Sequence, residues 1–234
     1  MLTIQVIPGV YQVTVRYANM FLILEDKITL IDTGFRGSTS NLVSFVQKLG
    51  RSTEEIGLII LTHNHLDHSG GLEDLRKLTK AKIAAPRADF IIDGDTIPYP
   101  AGNYLGKLLK VPALSPIKHR LVLQAKDIEI LLDGNEVLPV LGGLQVVPTP
   151  GHTMGSISLY VPQHRMLFVG DALNKRQDIL RMPLRTVSTN LQEAKSSIRR
   201  MAELDVEILC TGHGRPMLQN TKASLQALAA RLKL

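Results

Sequence analysis

The chain has 234 residues, 44% hydrophobic and 21% charged, with one cysteine and a formal net charge of +6. A chain of this size buries roughly 70% of the surface its unfolded form exposes, so a core forms without disulfide or metal staples, and any metal is directed to a catalytic role. No run approaches the ~18 consecutive apolar residues of a membrane span, no basic segment precedes Arg16, and no aromatics interleave the scattered basic residues; the expectation is a cytoplasmic protein that meets no membrane and takes an anionic small molecule rather than nucleic acid.

Along the chain, Val10 to Tyr17 alternates, Met20 to Leu24 is apolar, and Ile28 to Ile31 runs into Asp32-Thr33-Gly34, which together read as an antiparallel meander. Ser38 to Gly50 sets Leu42, Phe45, Val46 and Leu49 at helical spacing and closes on a glycine. Gly57 to Leu61 is a buried strand that delivers the segment from His63 to His68 to an open edge. A helix over Gly70 to Leu78, a strand over Lys82 to Ala85 and a helical turn over Pro86 to Ile92 follow. From about 93 to 136, prolines and glycines break the pattern; the stretch reads as a lid or specificity insertion, or as two short helices packed passively, and Tyr99 and Tyr104 either pack their own loop, the more common case, or cover a site and donate to an oxyanion.

The second half repeats the strand pattern at Val137 to Leu141, Leu144 to Val147, Ser156 to Val161 and Met166 to Val169. A helix from Leu191 to Leu204, opened by a Thr189-x-x-Gln192 capping box, precedes a strand at Ile208 to Cys210 and a helix from Thr221 to Leu232. Cys210, in that apolar strand, reads as a buried residue and not a nucleophile. The whole chain, 1–234, reads as one α/β domain, two sheets in a sandwich with helices outside.

Chemistry concentrates in the histidines. His63, His65 and His68 fall within six residues in the pattern H-x-H-x-D-H. On an extended segment, residues two apart point the same way, so His63 and His65 can grip one ion while Asp67 and His68, at the turn into the next helix, face another. Each further donor stands beside a glycine at the end of an apolar strand: Gly151-His152, Gly170-Asp171 and Gly212-His213. Imidazole and carboxylate donors suit zinc, iron or manganese. His119 and His164 lie outside any such motif and read as surface residues.

With Asp32-Thr33-Gly34 after its strand, these motifs give a chain that resembles the metallo-β-lactamase-fold hydrolases over nearly its whole length. The resemblance implies an αββα sandwich of two mixed β-sheets flanked by helices. It implies two divalent ions, zinc ahead of iron or manganese: His63, His65 and His152 would hold the first, Asp67, His68 and His213 the second, and Asp171 would bridge them. Asp32 would support the loop from behind. Asp67 would orient the metal-activated hydroxide and then pass a proton to the leaving group.

Asp171 points away from the true β-lactamases of this fold, which generally lack it, toward the glyoxalase II, lactonase and nuclease branches. The opening Gly9-Val10-Tyr11 and Asn19 to Ile23 are similar to the lactonase and glyoxalase II-like group, which implies hydrolysis of a small carbonyl ester such as a lactone or thioester. Two departures stand out. Asn174 occupies the place three residues after the bridging aspartate where quorum-signal lactonases typically carry tyrosine. The 21 residues after His213 (214 to 234) leave no room for the helical glutathione-binding domain of glyoxalase II proper. Asn174, Lys175 and Arg176 follow Asp171 closely enough to meet a substrate carboxylate or phosphate. The competing readings are a phosphodiesterase or ribonuclease of the same fold, although the glycine-rich opening and RNA-gripping arm of those nucleases are not visible, and a mononuclear-iron glyoxalase-like dioxygenase.

Overall fold

The computed structural model describes residues 1–90 and 128–232. Strands β1 (Leu2–Ile7), β2 (Val10–Val15), β3 (Ala18–Leu24), β4 (Ile28–Ile31), β5 (Ile56–Ile60), β6 (Lys82–Pro86) and β7 (Ile130–Leu132) lie side by side in chain order. Neighbours from β1 to β4 run antiparallel and those from β4 to β7 run parallel. The second sheet comprises β8 (Val137–Leu138), β9 (Leu144–Pro148), β10 (Ile157–Val161), β11 (Met166–Gly170) and β14 (Ile208–Thr211), with β14 added in parallel beside β11 and the other pairs antiparallel. Between them in sequence, β12 (Asn174–Arg176) and β13 (Ile179–Arg181) form a separate hairpin.

The layering follows from which face of each strand is apolar. Along β11 every residue is buried, because Met166 and Phe168 point between the sheets while Leu167 and Val169 point outward. Phe168 meets Phe21 of β3 edge-on, ring centres 5.1 Å apart, in an inter-sheet core that also holds Ile31, Ile60 and Leu159. Outside the first sheet, Leu30 and Ile59 pack on Leu42, Phe45 and Val46 of helix α1 (Thr39–Lys48) and on Leu72 and Leu75 of α3 (Leu72–Leu78); between these helices lies the short α2 (Leu66–Ser69). Outside the second, Leu167 and Leu209 pack on Ile198 and Met201 of α5 (Leu191–Glu203) and on Leu225 and Leu228 of α6 (Thr221–Arg231), while α4 (Arg87–Phe90) follows β6. The order helix, sheet, sheet, helix is the expected sandwich of two mixed sheets.

Four details differ from the sequence reading or extend it. A strand, β1, precedes the meander. The charged segment after Asp171 forms the β12–β13 hairpin. The stretch from 93 to 136 ends as a sheet element, since β7 pairs with β6; Tyr99 and Tyr104 lie outside the described residues. The cap of α5 is Asn190, whose side chain accepts from the amides of Gln192 and Glu193, while the Thr189 hydroxyl donates to the carbonyl of His152 at 2.7 Å. Cys210 is fully buried between the sheets, and burial pushes its thiol pKa up. No helix among the described residues is long and apolar enough to cross a membrane.

Strands β4 and β5 are parallel, as are β9, β11 and β14, so the segments that follow them leave from the C-terminal ends of their sheets. At that edge the two sheets are tied together by the amide of Ile157 donating to the carbonyl of Thr62 at 3.0 Å.

Candidate metal centre

The loop after β5 carries His63 and His65, and α2 carries Asp67 and His68. His152 follows β9, Asp171 follows β11 and His213 follows β14. These side chains converge into three overlapping donor groups: His63 with His65 and His152, His63 with His68 and Asp171, and Asp67 with His68 and His213, their ligating atoms within 4.8 Å of one another in each. The sets implied for two ions are thus adjacent, and Asp171 stands between them, its Oδ2 3.6 Å from His152 Nε2 and 3.1 Å from His213 Nε2 and its Oδ1 3.4 Å from His68 Nε2. Gly212 permits this approach: a Cβ there would sit 2.3 Å from Asp171 Oδ1 and 2.6 Å from His68 Cε1.

Hydrogen bonds behind the rings fix which nitrogen faces inward. The Thr62 hydroxyl donates to Asp32 Oδ2 at 2.9 Å, so it accepts from His63 Nδ1 at 3.0 Å. His68 Nδ1 donates to the same Asp32 oxygen at 2.8 Å. The carbonyl of Tyr17 can only accept, so His213 Nδ1 donates to it at 2.8 Å. Ser188 gives its hydroxyl hydrogen to the carbonyl of Leu184 and therefore accepts from His152 Nδ1 at 3.3 Å. Each ring thereby turns its Nε2 to the interior, a lone pair whenever the ring is neutral; His152 Nε2 lies 2.8 Å from His65 Nδ1 and His213 Nε2 3.1 Å from Asp171 Oδ2. Among the described residues, the buried atoms His63 Nε2, His68 Nε2 and Asp171 Oδ1 have no hydrogen-bond partner. Buried polar atoms are seldom left so. Neutral nitrogen lone pairs and a carboxylate oxygen directed at one space are the donor set that divalent zinc, iron or manganese requires.

Asp32 is buried beneath this cluster in the left-handed region, φ 58, and its Oδ1 accepts the amide of Thr62 at 2.8 Å, so it fixes both His63, through Thr62, and His68. Asp89 of α4 was not singled out in the sequence. It is 2% exposed, and its Oδ2 accepts from the amide of Asn64 at 2.9 Å and the hydroxyl of Thr153 at 2.8 Å, its Oδ1 from the amide of Gly155 at 2.7 Å. One carboxylate thus joins the loop of His63 and His65 to the loop of His152. A Cβ on Gly155 would sit 2.5 Å from the amide nitrogen of Asp89, so that position must be glycine.

Burial pushes His63 well below the ordinary histidine value, His65 to about 4 and His152 to about 3. Burial opposes charge on His68 too, but Asp171 and Asp32 outweigh it and raise this ring well above the ordinary value; at His213 the hydrogen bond with Asp171 likewise overcomes burial. Burial would raise the Asp171 carboxyl, yet His68 and His213 hold it well below the usual carboxylate range.

The centre opens into a cavity of about 750 Å³, lined by Asp67, Asn174, Phe35, Leu184 and Arg16 among others. Lys175 does not reach it: its Nζ donates to the carbonyl of Gln177 at 2.7 Å within its own hairpin turn. Arg176 is exposed and is not among the described residues lining the cavity.

Residues 13–213 match the family described as the metallo-beta-lactamase superfamily. The chain is 30% identical to the "Probable metallo-hydrolase YflN" of Bacillus subtilis over 96% of its own length and 91% of that protein's. It is 32% identical to a hydroxyacylglutathione hydrolase of Ectopseudomonas mendocina over 49% of its own length and 32% of that protein's. Its fold superposes on the metallo-beta-lactamase family protein TTHA1429 of Thermus thermophilus with TM-score 0.66 at 23% identity, covering 97% of this chain and 80% of that one.

Two outcomes follow from this geometry. Asp89→Asn replaces a carboxylate oxygen by an NH₂ facing N–H or O–H donors, so metal affinity falls about 10–100-fold, read by competition with a chromophoric chelator; wild-type affinity in the variant would contradict the role of Asp89. In the metal-free protein, the unfolded chain protonates His65 and His152 near 6.5 but the folded chain only at about 4 and about 3, so stability falls as pH drops below 6.5. The raised values of His68 and His213 contribute stability that is complete below 6.5 and lost as pH rises above it. Urea unfolding should therefore show a maximum between about pH 5 and about pH 8, with losses on the order of 1 kcal/mol per pH unit on either side; a steady rise across that range would contradict the assignment.

Proposed function

The chain belongs to the metallo-beta-lactamase superfamily, and from that premise we propose that it hydrolyses small carbonyl esters, lactones and thioesters among them, with two divalent ions, zinc by preference, held in the histidine centre. The observation that carries this reading is Asp171, one carboxylate within 3.6 Å of donors from both ligand sets. Two cations a few Å apart lower the pKa of a shared water toward ~7 and polarise a carbonyl oxygen. His63, His65 and His152 would hold the first ion and Asp67, His68 and His213 the second, with Asp171 reaching both.

The protein's own groups supply the rest. Asp67 is part-exposed at the cavity floor, its Oδ2 3.5 Å from His213 Nε2 and 3.8 Å from His68 Nε2. There it orients the attacking water and accepts a proton from it. The water oxygen bonds to the carbonyl carbon, the C–O or C–S bond breaks, and Asp67 returns the proton to the departing alkoxide or thiolate. The cavity, about 750 Å³ with Phe35, Leu66, Leu173, Leu184 and Val187 on its walls, has the volume and lining of a small-molecule site, which supports a compact acyl group over a polynucleotide.

The test is turnover of metal-quantified protein on lactones, thioesters including S-lactoylglutathione, nitrocefin and bis-p-nitrophenyl phosphate. Wild type should hydrolyse a lactone or thioester, and Asp171→Ala should lose at least about 100-fold in rate together with bound metal. Cleavage of the phosphodiester alone, or iron-dependent oxygen consumption without hydrolysis, would overturn the reading.

A further inference from the structure

The turn joining β2 to β3 consists of Arg16 and Tyr17, between the paired residues Val15 and Ala18. It is clamped to the loop of His213: the carbonyl of Tyr17 accepts from His213 Nδ1 at 2.8 Å, and the amide of Asn19 donates to the carbonyl of Gly212 at 2.9 Å. Arg16 has φ 59, a backbone conformation that glycine or asparagine adopts more readily. A large charged side chain thus occupies a position the backbone would leave to a small one, on a turn fixed to the metal centre.

Its guanidinium lies over the ring of Phe35, 5.3 Å from the centroid, and that ring is held edge-on by Tyr17 at 4.9 Å. All three residues line the cavity. Stacking on a ring face restricts the guanidinium plane while leaving its N–H edge free for a bidentate acceptor. Among the described residues, no carboxylate pairs with Arg16, and it is the one Lys or Arg that lines the cavity. The cations that sequence reasoning put forward are placed otherwise, Lys175 bonded within its own turn and Arg176, exposed like Arg16, outside the cavity lining.

We propose that Arg16 binds a carboxylate that the substrate carries away from its scissile carbonyl, so that the preferred substrates are half-esters or half-thioesters of dicarboxylic acids. The inference rests on the ester-hydrolase reading above. The guanidinium acts on binding, and the bond-breaking step remains with the metal centre.

The experiment compares p-nitrophenyl hemiglutarate with its methyl-capped neutral counterpart on zinc-loaded wild type, Arg16→Gln, Arg16→Lys and Arg16→Gly. Wild type should favour the anionic ester at least about tenfold in kcat/KM, the ratio should collapse in Arg16→Gln and Arg16→Gly through KM, and Arg16→Lys should hold an intermediate value. Arg16→Gly removes the positive-φ strain, so its melting temperature should not fall and loss of the ratio there cannot be attributed to unfolding. Calorimetric binding of glutarate against monomethyl glutarate to the same proteins reads the carboxylate site without turnover. No preference in wild type, or the same preference in Arg16→Gln, would overturn the proposal while leaving ester hydrolysis standing. Arg16-dependent glutarate binding without turnover of either ester would sustain the carboxylate site and remove the hydrolase reading.

Discussion

An imidazole whose Nδ1 hydrogen already has an acceptor has only its Nε2 left to offer a metal, and that constraint organises the interior of this protein. Asp32, Thr62, Ser188 and the Tyr17 carbonyl occupy the Nδ1 side of His68, His63, His152 and His213 respectively. Their combined effect is a buried space faced by imidazole nitrogens and carboxylates, in which His63 Nε2, His68 Nε2 and Asp171 Oδ1 are left without a hydrogen-bond partner among the described residues. Such a space is unfavourable for the folded protein alone. A divalent ion would relieve it, which is why the arrangement is read as a candidate metal centre and not as a satisfied polar core.

The sandwich provides the coordinates for this arrangement. His63, His65, His152, Asp171 and His213 follow the C-terminal ends of β5, β9, β11 and β14, and Asp67 and His68 stand on the short helix α2, so a regular element ends within a few residues of most donor atoms or carries them. The two sheets meet again beneath the site through Ile157 and Thr62, while Asp89 draws the loops of His63 and His152 together from the side. The β2–β3 turn does the same for His213 and carries Arg16 to the opening. Packing, ligand geometry and substrate access are therefore coupled: a displaced turn would disturb both a ligand and the pocket's permanent cation.

Much of this was legible in the sequence because the informative groups are close together or carry glycine beside them. His63, His65, Asp67 and His68 lie in one segment and the remaining donors mark strand ends, so the candidates were visible in the pattern, while the division of His152, Asp171 and His213 between two sets came only from the resemblance to the metallo-β-lactamase-fold hydrolases. Asp89 could not be found that way, since its partners Asn64 and Gly155 are 25 and 66 residues distant and a single aspartate in a short helix carries no pattern. Arg16 was equally silent, because an arginine in a hairpin turn is ordinary until its φ and its ring partner are seen. At the start of α5, Thr189 and Asn190 are both good caps, and only the carbonyl of His152, which takes the Thr189 hydroxyl, decides between them. The β12–β13 hairpin has too few apolar residues to alternate visibly.

The central claim is that two ions share this centre through Asp171. Anomalous diffraction from crystals of the zinc-loaded protein tests it most directly. The account predicts two peaks roughly 3.5–4 Å apart, one among His63, His65 and His152 and the other among Asp67, His68 and His213, with the Asp171 carboxylate touching both. A single peak, or two peaks with Asp171 contacting neither, would contradict it.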